Sequence, residues 1–515
     1  MLNMFVEIKW NEELMMERKK KLFLNTYSAL IYQVITVVCG FILPQFVIPY
    51  FGSATNGLIN SITQFLTVIT LCECGVGAVV QSSLYKPLAD KDDLEMSKVL
   101  ISSNKFFNNI MKILGIYIIA LILIYPILLR NEYKYSYLFI ATLILILAFN
   151  YIAQYYLFLT YRLLLNADQM AYVQLLVHSF VLILNTILTV ILIKLGATVH
   201  VVKFGSALVF FIQPIVLKLY VDRKYNINWK LKLTEEPIKQ KWNGMAQHIA
   251  NVVLENTDTV VLTTFSSLEN VSIYGVYYLV VHGVRQIIVS FSTGIQSLLG
   301  DMFAKKEHDT LNRTFSVIEL LFHIGVTLLF TVTAILIIPF IKIYTRNFND
   351  ANYVIPIFAF LMVIAQAVYC IRIPYETMIR AAGHYKETQT SSIIEALLNV
   401  VLSITLIFVL PNNIKLISVT IGTIMAVTYR TCYLVVYLSK YILKRKMKYF
   451  IYNILGDILS IIVMIIVTSL IPKQVNDYVQ WVGLALVIGL LCLVICLILN
   501  GTIHRKIILQ KIKNR

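Results

Sequence analysis

Charge is what this chain has least of. Asp, Glu, Lys and Arg make up 14% of its 515 residues, against 58% hydrophobic. A water-soluble protein of that length cannot cover so much apolar surface with so few polar groups. Also missing are the alternating apolar and polar strands of about ten residues that a membrane barrel needs. The sequence has long unbroken apolar runs instead, and helices that satisfy their own backbone carry such runs through lipid. The expected class is an all-α integral membrane protein.

Other scarcities narrow the function. No nucleotide-binding glycine loop, Ser/His/Asp constellation or metal-ligand cluster occurs, so neither an enzyme nor a cofactor is expected. The seven cysteines, Cys39, Cys72, Cys74, Cys370, Cys432, Cys492 and Cys496, all fall inside apolar runs. They read as small buried hydrophobes rather than metal ligands or disulfides. Carboxylates number 27 against 44 Lys and Arg, a net charge of +17. The cations cluster just outside apolar runs, where they set topology and meet anionic head groups, so nucleic acid is not expected. No cleavable signal peptide is visible, and the basic residues at 18–21 make the first run a retained signal anchor.

Runs of about 17–25 apolar residues suffice to cross a bilayer. About fourteen are present, at 22–50, 58–85, 110–129, 137–159, 171–193, 201–219, 249–265, 273–303, 317–341, 353–371, 393–410, 414–437, 451–471 and 479–499. Starting inside, the connections on one side collect about 32 Lys and Arg and those on the other about eight, a strong positive-inside signal. Both termini are therefore expected in the cytoplasm, in a multi-pass protein. All connections are short, so the work is done within the bilayer.

The longest connection follows six spans, and features recur across it. Gly57 pairs with Gly275 and Gly77 with Gly294. The loop at 88–94 resembles that at 304–311, and the segment 166–169 resembles 382–385. Six is even, so two such halves share one topology and can enclose a cavity open to either side in turn. The expected organisation is a cytoplasmic segment (1–21), a six-helix bundle (22–221), a cytoplasmic linker (222–241), a second parallel six-helix bundle (242–443), and two extra helices with a basic tail (444–515).

This arrangement resembles the multidrug/oligosaccharidyl-lipid/polysaccharide exporter superfamily, with a MATE-like core. Within it the likeness is to the O-antigen and capsule flippases of the Wzx type. Residues 161–169, with Arg162, Ala167, Asp168 and Gln169, resemble the family's segment between the fourth and fifth spans, and residues 381–386 its counterpart. Asn251 and Asp258 resemble the polar seventh span, and residues 46–57 the first external turn. The resemblance implies a flippase moving an isoprenoid diphosphate-linked oligosaccharide from the cytoplasmic to the outer leaflet of a bacterial inner membrane, for cell-surface polysaccharide synthesis. It also implies membrane lipids and a polysaccharide polymerase with its chain-length machinery as partners.

Embedded charge costs about 2.5–3.5 kcal/mol per residue, so each instance needs a reason. His248, Asn251, Glu255 and Asp258 form one stripe on the seventh span, at spacings of three, four and three. Tyr274, Tyr278, His282, Arg285, Ser292 and Gln296 share a face of the eighth, and Gln366, Tyr369, Arg372 and Glu376 a face of the tenth, where Pro356 and Pro374 should bend the helix. Guanidinium groups suit a diphosphate. Arg285, Arg372 and Arg430 are the expected anchors, with Asn251, Tyr278, His282, Gln296 and Tyr369 around the substrate. Glu255 and Asp258 would exchange H⁺ or Na⁺ from the transmembrane gradient. The structural alternatives are an ion pair of Arg285 with Glu255 or Asp258, an i,i+4 pair of Arg372 with Glu376, and an Arg430 that snorkels. Glu319, Glu395 and Asp457 are expected at solvated helix ends, Glu73 deeper, and His178 and His323 as satisfied buried polar groups. Two other functions compete: a cation-coupled small-molecule exporter, for which an acidic cavity is expected, and a membrane-embedded glycosyltransferase or polymerase, for which a large outer loop is expected.

Overall fold

The computed structural model describes residues 2–67, 76–129, 135–155, 159–231, 245–411 and 414–503, and within these all regular structure is helical. Cys72, Glu73 and Cys74, residues 232–241 of the expected linker, and the tail beyond 503 lie outside the described residues, as do the side chain of His248 and the surroundings of Gly294. Eleven helices among the described residues are long and apolar enough to cross a membrane. Three expected spans stand apart. The second includes residues 68–75, which lie outside the described residues, the fourth holds a shorter apolar stretch, Tyr137–Ile152, and the seventh carries Glu255 and Asp258.

By internal contacts the chain divides into two units, Met1–Phe51 with Ile62–Ile249, and Gly52–Ser61 with Ala250–Arg515. The division differs from the expected bundles at 22–221 and 242–443, because residues 52–61 group with the second. The cause is local. Gly57 packs so closely that a Cβ there would stand 1.8 Å from the Leu268 carbonyl oxygen. Asp350 also accepts the Ser53 backbone N–H and its hydroxyl, each at 2.6 Å, satisfying a donor at a helix start.

The first part of the chain forms α1 (Leu2–Phe51), α2 (Ser53–Leu66), α3 (Val76–Asp90), α4 (Asp93–Leu128), α5 (Tyr137–Tyr155), α6 (Leu159–Ala167), α7 (Ala171–Lys194), α8 (Val199–Phe210) and α9 (Ile212–Lys224). Asp92 starts α4 by accepting the N–H groups of Leu94 and Glu95 at 3.0 and 2.9 Å. Val99 and Leu100 of α4, Leu163 and Leu164 of α6, and Leu217 and Val221 of α9 make the first unit's core.

The second part forms α10 (Met245–Phe265), α11 (Leu268–Ser290), α12 (Ser292–Ala304), α13 (His308–Tyr344), α14 (Pro356–Ile371), α15 (Ile373–Ala381), α16 (Tyr385–Val409), α17 (Lys415–Tyr437), α18 (Lys448–Ser469) and α19 (Tyr478–Ile503). Cys492 and Cys496 of α19 are fully buried with Met464 of α18 and Leu336 of α13. Cys432 is exposed, against expectation. Pro374 does break its span, since it lacks the N–H that would reach the Cys370 carbonyl. Pro356 does not bend a helix but starts α14, where a missing N–H is no loss.

Corresponding turns repeat in the two units. Lys91 and Lys306, and Gln169 and Gly383, adopt positive φ at helix ends, 53° and 59°, 57° and 78°. At Gln169 and Gly383 alike, the next residue's N–H bonds back to the carbonyl five residues earlier, Met170 to Leu165 and His384 to Ile379.

Candidate functional site

The polar residues of the second unit's membrane helices form one chain of contacts. At one end Asp258 of α10 is buried and accepts hydrogen bonds from Tyr274 at 3.0 Å and Thr423 at 2.8 Å. Asn399 of α16 donates to the Thr423 hydroxyl at 2.8 Å. The buried carboxylate is thus satisfied by hydroxyl groups on α11 and α17, the second of which is itself held by an amide on α16. From Tyr274 a ladder runs down α11. Tyr274 stacks on Tyr278 at 5.8 Å between centroids, and Tyr278 on His282 at 5.1 Å. His282 in turn meets the Gln286 amide at 2.9 Å.

One turn below His282, Arg285 pairs with Glu255 of α10 at 2.7 Å. The same guanidinium lies 3.7 Å over the ring of Tyr369, and that of Arg372 lies 4.2 Å from it. Two cations thus share one aromatic ring. Each cation–π contact is worth about 0.5–2 kcal/mol, the upper end when desolvated. That cannot offset two like charges at close range without carboxylates nearby.

The carboxylates are present. Glu395 of α16 accepts from Arg372 with one oxygen and from Arg430 with the other, the latter at 2.8 Å. Glu376 of α15 meets Arg380 at 2.6 Å, Arg430 at 3.2 Å and Arg372 at 3.7 Å. Asn251 accepts from Arg430 at 3.4 Å. Arg372, Arg430 and Glu395 are each 1% exposed, so Arg430 does not snorkel and Glu395 is not at a solvated end. Arg372 takes Glu395 as its nearest partner, and Glu376 is the looser contact. Four arginines here face three glutamates, one cation in excess, before Asp258 is added.

The eight expected substrate residues therefore fall into two groups. Asn251, Tyr278, His282, Arg285, Tyr369, Arg372 and Arg430 all join the contact chain. Gln296 is on α12, half-buried, with no hydrogen-bond partner among the described residues. Of the two expected ion-coupling residues, Asp258 is enclosed, and the Glu255 side chain is 47% exposed. Sequence reading missed Glu395, Asn399, Thr423 and Arg380. A signal for two of them exists: Ser391, Ser392, Glu395, Asn399 and Ser403 form a buried polar stripe at helical spacing on apolar α16.

A second buried cluster lies behind the first. Glu319 of α13 accepts from Tyr375 and, at 2.7 Å, from Arg445. Asp457 of α18 accepts from Thr327 at 2.7 Å and pairs with His323 at 2.5 Å. Glu319 and Asp457 are buried, at 1% and 4% exposure, because partners from other helices cover them, and they are not the solvated residues expected.

No family model and no curated protein matches this sequence. Solved structures do match. "Lipid II flippase MurJ, inward closed conformation" superposes with a TM-score of 0.69 at 14% identity, covering 94% of this chain and all of that one. Two MATE family transporters of the MOP superfamily, one inward-facing and one outward-facing, give TM-scores of 0.53 and 0.55 at 11% and 13% identity. They cover 81% and 82% of this chain, and 95% and 96% of their own. This multi-pass membrane protein has the fold of the lipid II flippase MurJ and of the MATE transporters of the MOP superfamily.

Proposed function

We propose that this protein is a flippase that carries an isoprenoid diphosphate-linked oligosaccharide from the cytoplasmic to the outer leaflet of a bacterial cytoplasmic membrane by alternating access, with both termini in the cytoplasm. The observation that carries the reading is Arg285. It is a buried guanidinium, stacked on Tyr369, whose carboxylate partner is exposed and therefore exchangeable. A diphosphate oxygen can take the place of Glu255 there without leaving a buried charge bare. Arg372 and Arg430 are held by buried carboxylates, and Arg372 shares the ring of Tyr369 with Arg285. Tyr278 and His282 extend the site along α11, where sugar hydroxyls find ring faces and polar tips.

Asp258, with Thr423, Asn399 and Tyr274, supplies the coupling. One cation crossing 100 mV releases about 2.3 kcal/mol, so binding one Na⁺ or H⁺ at this carboxylate is enough to bias a cycle. The similarity to a lipid II flippase over 94% of the chain supports a lipid-linked substrate. The product would enter O-antigen, capsule or another surface glycan, and a polymerase with its chain-length machinery would receive it.

The test is reconstitution in vesicles with a lipid-diphosphate oligosaccharide and a membrane-impermeant glycosidase outside. Full cleavage with wild-type protein, and cleavage of only half the pool with Arg285→Gln, is the expected pair of results. Equal cleavage by both proteins would sink the role of Arg285. No protein-dependent cleavage, together with efflux of an amphipathic dye, would favour a MATE-type small-molecule exporter. Asp258→Asn should leave cleavage intact under equilibrium conditions and abolish its response to an imposed Na⁺ or proton gradient.

A further inference from the structure

A cavity of about 560 Å³ lies within the first unit, between α4, α6 and α9. Asn104 of α4, Thr160 and Tyr161 of α6, and Ile215 and Lys218 of α9 line it, with Trp229 from the turn beyond α9. Tyr161 and Trp229 meet edge to face, centroids 6.1 Å apart. Asn104, Thr160, Lys218 and Trp229 have no hydrogen-bond or ion-pair partner among the described residues. An amide, a hydroxyl, an ammonium and an indole N–H thus gather around one space with their donors unused. Among the described residues no carboxylate lines the cavity; Asp222, one turn beyond Lys218 on α9, is close enough to act electrostatically on Tyr161 but is exposed and makes no ion pair with Lys218. A lining of donors without an acid selects an anion.

The surroundings indicate where the anion comes from. Ile215, Val216 and Leu219 stand beside Lys218 on the same helix and are 57%, 38% and 54% exposed. They belong to Val199–Lys224, a segment long and apolar enough to cross a membrane, and Lys218 lies in its last two turns. Trp and Tyr with a polar tip toward one end and an apolar slope toward the other are the arrangement found at the boundary of head groups and acyl chains. Basic pockets between transmembrane helices at that depth hold lipid phosphates.

We propose that this cavity binds the phosphate head group of an anionic membrane lipid, with Lys218 on the phosphate, Asn104 and Thr160 on its polar substituent, and the acyl chain lying along Ile215 and Leu219. The site is separate from the residues assigned to the transported substrate and does not depend on that assignment.

Trp229 is its own reporter. In nanodiscs the emission of wild type minus that of Trp229→Phe isolates this indole, and brominated lipids quench it on contact. Brominated phosphatidylglycerol should quench this component about fivefold more strongly than brominated phosphatidylcholine at equal mole fraction, the ratio expected of one lysine beside a lipid phosphate. Lys218→Gln should abolish the preference and Lys218→Arg should keep it. Lys218 is exposed, so neither substitution removes a buried contact. Equal quenching by the two lipids would overturn the proposal. Loss of the preference on adding millimolar inorganic phosphate would assign the cavity to free phosphate, and displacement by an isoprenyl phosphate but not by excess phosphatidylglycerol would assign it to the transported lipid. Either result refutes a membrane-lipid site.

Discussion

Glu255 and Arg285 share a 2.7 Å ion pair, yet the side chain of the first is 47% exposed and that of the second 8%. The pair is lopsided: the carboxylate is open and the guanidinium is covered. Glu255→Gln should therefore free Arg285 for an added anion. Thermal stabilisation of the purified protein by inorganic pyrophosphate should appear at about tenfold lower ligand concentration in Glu255→Gln than in wild type, a difference of roughly 1.4 kcal/mol. Arg285→Gln should show no stabilisation. An unchanged midpoint in Glu255→Gln would mean that Glu255 does not occupy the anion position.

Glu395 behaves differently, because both its partners are buried. Glu395→Gln removes the negative charge that Arg372 and Arg430 share, and breaking a buried pair on one side costs about 3–5 kcal/mol. The variant should melt well below wild type in a detergent thermal scan, or fail to accumulate, while Glu255→Gln melts near wild type. A Glu395→Gln protein as stable as wild type would show that the network contributes no net stability.

The turn between α6 and α7 predicts a pH dependence. Burial pushes the Asp168 carboxyl up, but the Tyr225 hydroxyl and the ammonium groups of Lys21 and Lys224 outweigh it and hold the group below its ordinary value of 3.8. A depressed carboxyl stabilises the fold above its unfolded value, and that contribution is lost as pH falls through the folded value. Asp168→Asn should cost about 1 kcal/mol near neutral pH, given the partial exposure. Chemical denaturation at a series of pH values should show the two proteins converging below 3.8. A gap that stays constant down to acid pH would remove Asp168 as its source.

Gly57 and Gly115 make a matched pair of controls. A Cβ at Gly57 would meet backbone of Leu268 at 1.8 Å, whereas one at Gly115 would meet nothing within 4 Å. Gly57→Ala should destabilise by about 1–3 kcal/mol through forced backbone movement. Gly115→Ala should be neutral or stabilising by up to roughly 1 kcal/mol, the helix-propensity difference. Similar melting temperatures for the two variants would show that α2 and α11 can separate at little cost.

The membrane class and most spans were legible because hydrocarbon imposes a length and a composition on every crossing helix. The stripe of Asn251, Glu255 and Asp258 was legible for a similar reason, since spacings of three and four put residues on one face. Partner choice was not. Arg372 and Glu376 at i,i+4 suggest a local pair, yet Glu395, 23 residues away, is the nearer carboxylate. Glu319, Glu395 and Asp457 looked solvated because distance from a predicted helix end says nothing about which neighbouring helix covers them. Gly57 recurred in the repeat as a position, but its role needs Leu268 in view.

Tyr375 and Glu376 are neighbours on α15, a helix of nine residues, and they point into different clusters. Tyr375 holds Glu319, and Glu376 holds Arg372, Arg380 and Arg430. Consecutive side chains on a helix diverge by about 100°, so a short rigid rod grips two sockets at once. The arginines around Tyr369 and the anchorage of Arg445 on α13 are therefore joined through one nine-residue helix.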